Sequence, residues 1–304
     1  MAEIGFIDQT LRDGPQSLWG MRMRAQHATP ALPHLNATGF DTIDLLGATS
    51  MVVMLRESGD DPWAWVDHLI RNLPDQPLRS ALRPVAAGSF GFVPEGMLDL
   101  WIEVLVKHGV ESHWLFDCLY DMPLMKERTR ALQAVGGEVV LAIMYGLSEL
   151  HSDEFFADRA REMASWPGVK RIYVEDAPGV LTPERAATLL PVLQEATPGV
   201  RLEIHSHNTT GLALLVYREG IKAGIDLIHT ATMPLADAPR CPRPRRSWRS
   251  SRSSATPTPS TNHTWRRSPT TSTPKRRGSA TRSGCRTSTA CSPTNTSCLR
   301  RNGD

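Results

Sequence analysis

Cysteine is nearly missing from the first 239 of the 304 residues: Cys118 stands alone there, and Cys241, Cys285, Cys291 and Cys298 follow it. A single thiol cannot build a disulfide framework, and the spacing of the later four fits no zinc motif. Cys118 is read as a buried small residue rather than a nucleophile. No run of about 18 apolar residues occurs, so a membrane span is not expected. No leader-like segment opens the chain either, and a cytoplasmic location is expected.

Acidic residues are missing from one part in particular. Residues 240–304 hold 15 Lys and Arg against one acid, Asp304, whereas residues 1–239 hold 19 basic and 31 acidic side chains. The overall net charge of +2 therefore describes neither part. Beyond residue 239 the only aliphatic side chain other than Ala is Leu299, and the only aromatics are Trp248 and Trp265. Such a segment cannot bury enough apolar surface to offset its ordering entropy, so 240–304 is expected to be a disordered basic tail. It reads either as an arm for a polyanion such as nucleic acid or as sequence that was never selected as protein. The second reading is preferred. The change at Ala238-Pro239-Arg240 is abrupt, and Pro, Arg, Ser, Thr and Ala are what GC-rich coding DNA yields out of frame.

The front part, residues 1–239, alternates short apolar segments with amphipathic ones. The apolar runs predict strands at Ile4–Asp8, Thr42–Leu45, Ser80–Val85, His113–Phe116, Val139–Met144, Arg171–Val174, Leu202–His205 and Leu227–Thr230. Helices are predicted over Pro94–His108, Asp153–Ser165 and Pro183–Glu195, the last opened by Thr182 as cap and Pro183 at the first helical position. Strand and helix alternate eight times at about 25–35 residues per unit, which fits an α/β chain closed as a (β/α)₈ TIM barrel and truncated after its eighth strand. A doubly wound open sheet is the alternative. In such a barrel chemistry sits just after the strands, and two motifs fall there.

Asp8-Gln-Thr-Leu-Arg12-Asp13-Gly-Pro-Gln16-Ser follows the first strand. An adjacent Arg and Asp can offer a guanidinium to an anion and a carboxylate to a metal, or can simply be a solvated turn. Glu203-Ile-His205-Ser-His207-Asn208 follows the seventh. Residues two apart in a strand point the same way, so His205 and His207 can converge on one ion, or can be structural. Together with Asp13 they make a plausible divalent site open to substrate.

These two motifs resemble those of the metallolyase barrels of the HMG-CoA lyase-like superfamily. This group includes the carboxyltransferase domain of pyruvate carboxylase, the oxaloacetate decarboxylase α chain, HMG-CoA lyase and isopropylmalate synthase. Gln16-Ser-Leu followed by Met21-Arg22 is most similar to the biotin-dependent branch, and the resemblance covers roughly residues 4–237. It implies that Asp13, His205 and His207 hold a divalent ion: zinc, manganese, cobalt or magnesium. It implies that Arg12, Gln16 and Arg83 bind and polarise a 2-keto acid such as pyruvate or oxaloacetate. Phe90 stands at a substrate-binding position where the carboxylase branch has a tyrosine, so a hydroxyl role there is lost. Phe116-Asp117 matches the family's Phe-Asp, with Asp117 either supporting the site or structural. Glu175 replaces a carbamylated lysine of the carboxylase branch. It is a candidate fourth ligand, directly or through water, as is Asp176 beside it.

The implied activity is carboxyl transfer or decarboxylation through an enolate, with the carboxyl exchanged with biotin on a separate carrier protein or domain. A homodimer is implied, and neither membrane nor nucleic acid is expected as a partner. The alternatives are a biotin-independent aldol or Claisen lyase or synthase, and a damaged, non-enzymatic barrel with a basic arm. If the reading frame is lost near residue 239, the eight strands survive but the family's eighth helix and C-terminal extension do not. Uncovered apolar surface would then leave the chain poorly stable and with little turnover. Sequencing of the gene is expected to reveal that frame change; one intact frame running through codon 304 would contradict it.

Overall fold

The computed structural model of the chain describes residues 4–85, 93–237 and 241–242. Among them eight strands follow one another in parallel around a closed barrel: β1 (Gly5–Asp8), β2 (Thr42–Gly47), β3 (Leu78–Leu82), β4 (Ser112–Leu115), β5 (Glu138–Met144), β6 (Arg171–Asp176), β7 (Arg201–Ser206) and β8 (Leu227–Thr230). β8 closes on β1, with Gly5 opposite Leu227 and Asp8 opposite Thr230. The open-sheet alternative is excluded by that closure. The strands are buried on both faces, as parallel strands wrapped by helices must be, which is why they read as short continuous apolar runs.

The helices form where capping and apolar spacing coincide. Thr182 Oγ1 accepts from Arg185 N at 3.2 Å at the start of Pro183–Ala196, and Ser152 Oγ accepts from Phe155 N at 3.1 Å at the start of Asp153–Ala164. Each side-chain acceptor satisfies an N–H that has no partner within its own helix. A third helix spans Glu95–Lys107, within a residue of its predicted ends. No helix among the described residues is long and apolar enough to cross a membrane, and none of them follows β8.

Two expectations are corrected. β3 begins at Leu78 rather than Ser80 and ends at Leu82 rather than Val85. A charged residue, Arg79, interrupts the apolar run at its start, and Pro84, which has no N–H to give, follows its end. Cys118 is exposed, not buried, because β4 stops at Leu115 and leaves it in the following loop.

Arg79 explains itself in the barrel interior. Its Nε donates to Asp44 Oδ1 at 2.5 Å and its NH1 to Glu203 Oε2 at 2.7 Å, and all three side chains are fully buried. Arg171 NH2 reaches Glu203 Oε1 at 2.5 Å, and His229 Nε2 donates to Glu203 Oε2 at 2.9 Å. A buried charge is tolerable only when paired and hydrogen-bonded, and here five strands supply the members of the network. Above this layer Ala81, Trp114, Val140, Ala142 and Tyr173 pack together inside the barrel. Positions two apart, Arg171, Tyr173 and Glu175 on β6 and Glu203, His205 and His207 on and just after β7, therefore climb from the charged floor to the C-terminal mouth.

At that mouth the loops after β1 and β8 are tied together. Thr10 Oγ1 donates to Asp8 Oδ1 at 2.6 Å, Thr10 N donates to Asp8 Oδ2 at 3.1 Å, and Thr232 N donates back to Thr10 Oγ1 at 2.8 Å. Burial pushes the Asp8 carboxyl from 3.8 up to about 7, against the pull of those two hydrogen bonds from Thr10. A carboxyl that binds its proton more tightly folded than unfolded stabilises the fold below its unfolded pKa. That contribution is lost as pH rises toward its folded pKa. Urea titrations between about pH 4 and pH 7 are expected to show Asp8→Asn losing less stability with rising pH than the parent chain. Parallel pH profiles for the two would contradict this account of Asp8.

Candidate metal centre

Asp13 opens the short helix Asp13–Trp19 immediately after the β1 loop and is completely buried. His207 lies one residue past β7. Closure of the barrel brings them together: His207 Nε2 stands 3.1 Å from Asp13 Oδ1, with Arg12 NH1 4.0 Å from the same oxygen. Burial alone would raise the Asp13 carboxyl, but the hydrogen bond and charge of His207 and the charge of Arg12 outweigh it and hold the carboxyl below its ordinary value. The same pair raises His207 despite its burial. Either atom can exchange the proton between them for a cation, since 3.1 Å is a normal separation between neighbouring ligand atoms on one ion.

His205 is fully buried below His207, their rings 4.9 Å apart. Burial, and then the neighbouring charges of His207, His229 and Arg12, push it well below the ordinary histidine range, so it is neutral. Its ring packs on the layer beneath. His229 Nε2 gives its hydrogen to Glu203, and His229 Nδ1 accepts from Gln9 Nε2 at 2.8 Å. His205 Nδ1 lies 3.3 Å from His229 Nδ1 and 3.2 Å from Cys241 Sγ, so that edge of the ring is held among buried partners. A histidine whose second nitrogen is anchored in this way is suited to ligate a metal.

Glu175, opposite His205 in the β6–β7 register, is 3% exposed, and its Oε2 has no hydrogen-bond partner. Burial raises its carboxyl, against the charge of Arg12. An unpartnered buried carboxylate oxygen beside an Asp–His pair fits a cation at this place. Asp176 is otherwise engaged: its carboxylate accepts from Val180 N, Leu181 N and Ser206 Oγ at 2.9, 3.0 and 2.7 Å. Asp117 accepts from Asp121 N at 2.7 Å and so serves its own turn. Both therefore have structural work.

Beside the centre a cavity of about 290 Å³ is lined by Arg12, Gln16, Arg83, Trp114, Phe116, Met144 and Glu175, among others. Arg12 lies over the Trp114 ring at 4.8 Å and Arg83 over Phe116 at 5.3 Å, which helps hold both guanidinium groups at the cavity. Arg12, Gln16 and Arg83 thus meet in one cavity, next to Asp13, His205 and His207. Phe90 lies outside the described residues.

One residue of the site was not foreseen. Cys241 is completely buried, with Sγ 3.2 Å from His205 Nδ1 and 3.7 Å from His205 Nε2, and its N–H is directed to Asp13 Oδ2 at 3.4 Å. Ligand atoms of Asp13, His205 and Cys241 all lie within 4.8 Å of one another. Burial, and then the nearby Asp13 and Glu175 carboxylates, push its thiol well up. The signal for it was weak: a Cys-Pro pair following the last strand, inside a composition that argued against structure.

The HMGL-like family model matches residues 122–234. A pyruvate carboxylase subunit from Methanocaldococcus jannaschii is 28% identical over 233 residues, covering 77% of this chain and 41% of its own length. The 2-oxoglutarate carboxylase large subunit of Hydrogenobacter thermophilus is 27% identical over 237 residues, covering 77% and 36%. Among solved structures, a variant carboxyl transferase domain of Rhizobium etli pyruvate carboxylase with pyruvate superimposes with a TM-score of 0.74 at 25% identity, over 80% of this chain and 42% of that one. The chain spans less than half the length of these relatives.

Proposed function

We propose that this chain, which carries an HMGL-like domain and has carboxyltransferase subunits as relatives, is the keto-acid-binding part of a biotin-dependent carboxyltransferase. The observation that carries the reading is a cavity lined by Arg12, Gln16, Arg83 and Glu175, with Arg12 4.0 Å from the Asp13 carboxylate that contacts His207, and His205 beside His207. Asp13, His205 and His207 would hold a divalent ion, with Glu175 as a further oxygen donor. The ion would supply Lewis-acid polarisation of a 2-keto oxygen. Zinc, manganese, cobalt and magnesium all suit a mixed carboxylate and imidazole set.

The chain's own residues do the rest. Arg83 at the cavity wall pairs with the carboxylate of pyruvate or oxaloacetate. Arg12, stacked on Trp114 and screened from water, holds its charge where the enolate oxygen develops, and Gln16 adds a neutral donor. Trp114, Phe116 and Met144 exclude water from that charge. The carboxyl would be exchanged with biotin on a carrier protein or domain, and cytoplasmic placement and a homodimer complete the proposal.

Glu175 favours a second reading, a biotin-independent aldol or Claisen lyase or synthase of the HMG-CoA lyase type. A plain carboxylate there needs no modification, and its free Oε2 is already buried in the site. Calorimetry on the metal-loaded full chain separates the two. Pyruvate is expected to bind, and Arg12→Ala and Arg83→Ala are each expected to weaken it about 10- to 100-fold, the value of a charge-assisted hydrogen bond. Binding of acyl-CoA thioesters with no measurable affinity for pyruvate or oxaloacetate would replace the first reading with the second.

A further inference from the structure

We propose that Cys241 is a ligand of the divalent ion, its sulfur joining Asp13 and Nε2 of His205 in a mixed sulfur, nitrogen and oxygen set. This rests on the metal-centre reading above and adds to it a donor that changes which metal the site takes.

The inference is carried by position. Cys241 Sγ is 3.7 Å from His205 Nε2, the ring nitrogen other than the one that contacts His229, and 3.2 Å from His205 Nδ1. A tetrahedral ion with metal–sulfur and metal–nitrogen bonds of ordinary length separates those two atoms by about 3.5 Å. The donor atoms of Asp13, His205 and Cys241 already lie within 4.8 Å of one another, so the set needs only a small contraction to close on an ion. The unpartnered Oε2 of Glu175, in a side chain more than nine-tenths buried, is an independent sign that a cation belongs here.

The backbone explains why the thiol is held in this place. Ala231 N donates to Pro242 O at 3.1 Å, Asp237 N donates to Cys241 O at 3.0 Å, and Cys241 N is directed to Asp13 Oδ2 at 3.4 Å. The chain leaving β8 thus turns back on the β8 end, and Cys241 packs with Ala231 and Ala236. Small side chains at those two positions leave the room that the sulfur occupies. Residue 241 is therefore part of the barrel's C-terminal end, although its neighbours in sequence read as tail.

Binding would break the S–H bond, form a metal–sulfur bond and release the thiol proton to the buffer. A thiolate donor favours zinc or cobalt and disfavours magnesium and manganese, which prefer oxygen. It also lowers the net charge of the loaded centre.

The test uses the full-length chain with Cys285, Cys291 and Cys298 changed to Ser, so that a thiolate can come only from Cys118 or Cys241. Cobalt(II) is expected to give a thiolate-to-metal charge-transfer band in the near ultraviolet. Cys241→Ser should abolish it and weaken zinc binding by at least about tenfold, while Cys118→Ser leaves both unchanged. X-ray absorption of the zinc-loaded chain is expected to show one sulfur at about 2.3 Å, a readout that stands even if Cys241→Ser fails to fold. Cobalt bound without that band, or a zinc shell of nitrogen and oxygen alone, would overturn the proposal. Asp13→Asn keeps the two readings apart: if it abolishes metal binding while Cys241→Ser does not, the centre stands and the sulfur ligand falls.

Discussion

The contact between His207 Nε2 and Asp13 Oδ1, 3.1 Å long and spanning 194 residues of sequence, is the constraint on which the site depends. It exists only because β8 lies between β7 and β1 and closes the sheet, so that the helix after β1 starts beside the end of β7. Separately the two motifs are an exposed-looking turn and a histidine pair. Joined, they become a buried carboxylate held ionised by its neighbours next to two imidazoles at different heights along the barrel axis. Arg12 is bound to the same geometry, because it is the residue before Asp13 and faces the cavity that Trp114 floors.

The floor of the barrel supports this arrangement from below. Asp44, Arg79, Arg171, Glu203 and His229 form a paired, buried layer where hydrophobic side chains would serve stability equally well. What the charged layer adds is orientation. Glu203 fixes His229, Gln9 fixes its other nitrogen, and His229 in turn packs against His205, their Nδ1 atoms 3.3 Å apart. The contacts from Glu203 to His205 therefore link the charged floor to the candidate centre, the arrangement expected of outer partners if His205 ligates a metal.

Most of this was legible in the sequence, for stateable reasons. Strands buried on both faces leave apolar runs, so all eight were readable, and the rule that barrel chemistry follows strands singled out Asp13, His205 and His207 as candidates. β3 was misplaced because Arg79 looks like an exposed residue, and nothing local announces that Asp44 and Glu203 wait for it across the barrel. Cys118 was misjudged because a strand end two residues earlier or later decides between core and loop. Cys241 was missed because its place is set by contacts with Ala231, Ala236 and Asp237 beyond β8, while the Arg, Ser and Pro around it carry the composition of unstructured sequence. The partners of Asp176, on Val180, Leu181 and Ser206, were equally invisible, since they depend on how one loop folds back.

The central claim is that Asp13, His205 and His207 form one metal-binding centre at the mouth of a closed barrel. Anomalous diffraction from crystals of the full chain grown with zinc, with data on both sides of the zinc absorption edge, addresses it most directly. A single strong peak among the Asp13 carboxylate, His205 Nε2 and His207 Nε2 is the result this account requires. No peak there, with the three side chains apart and the zinc elsewhere on the surface, would reduce the resemblance to one of fold.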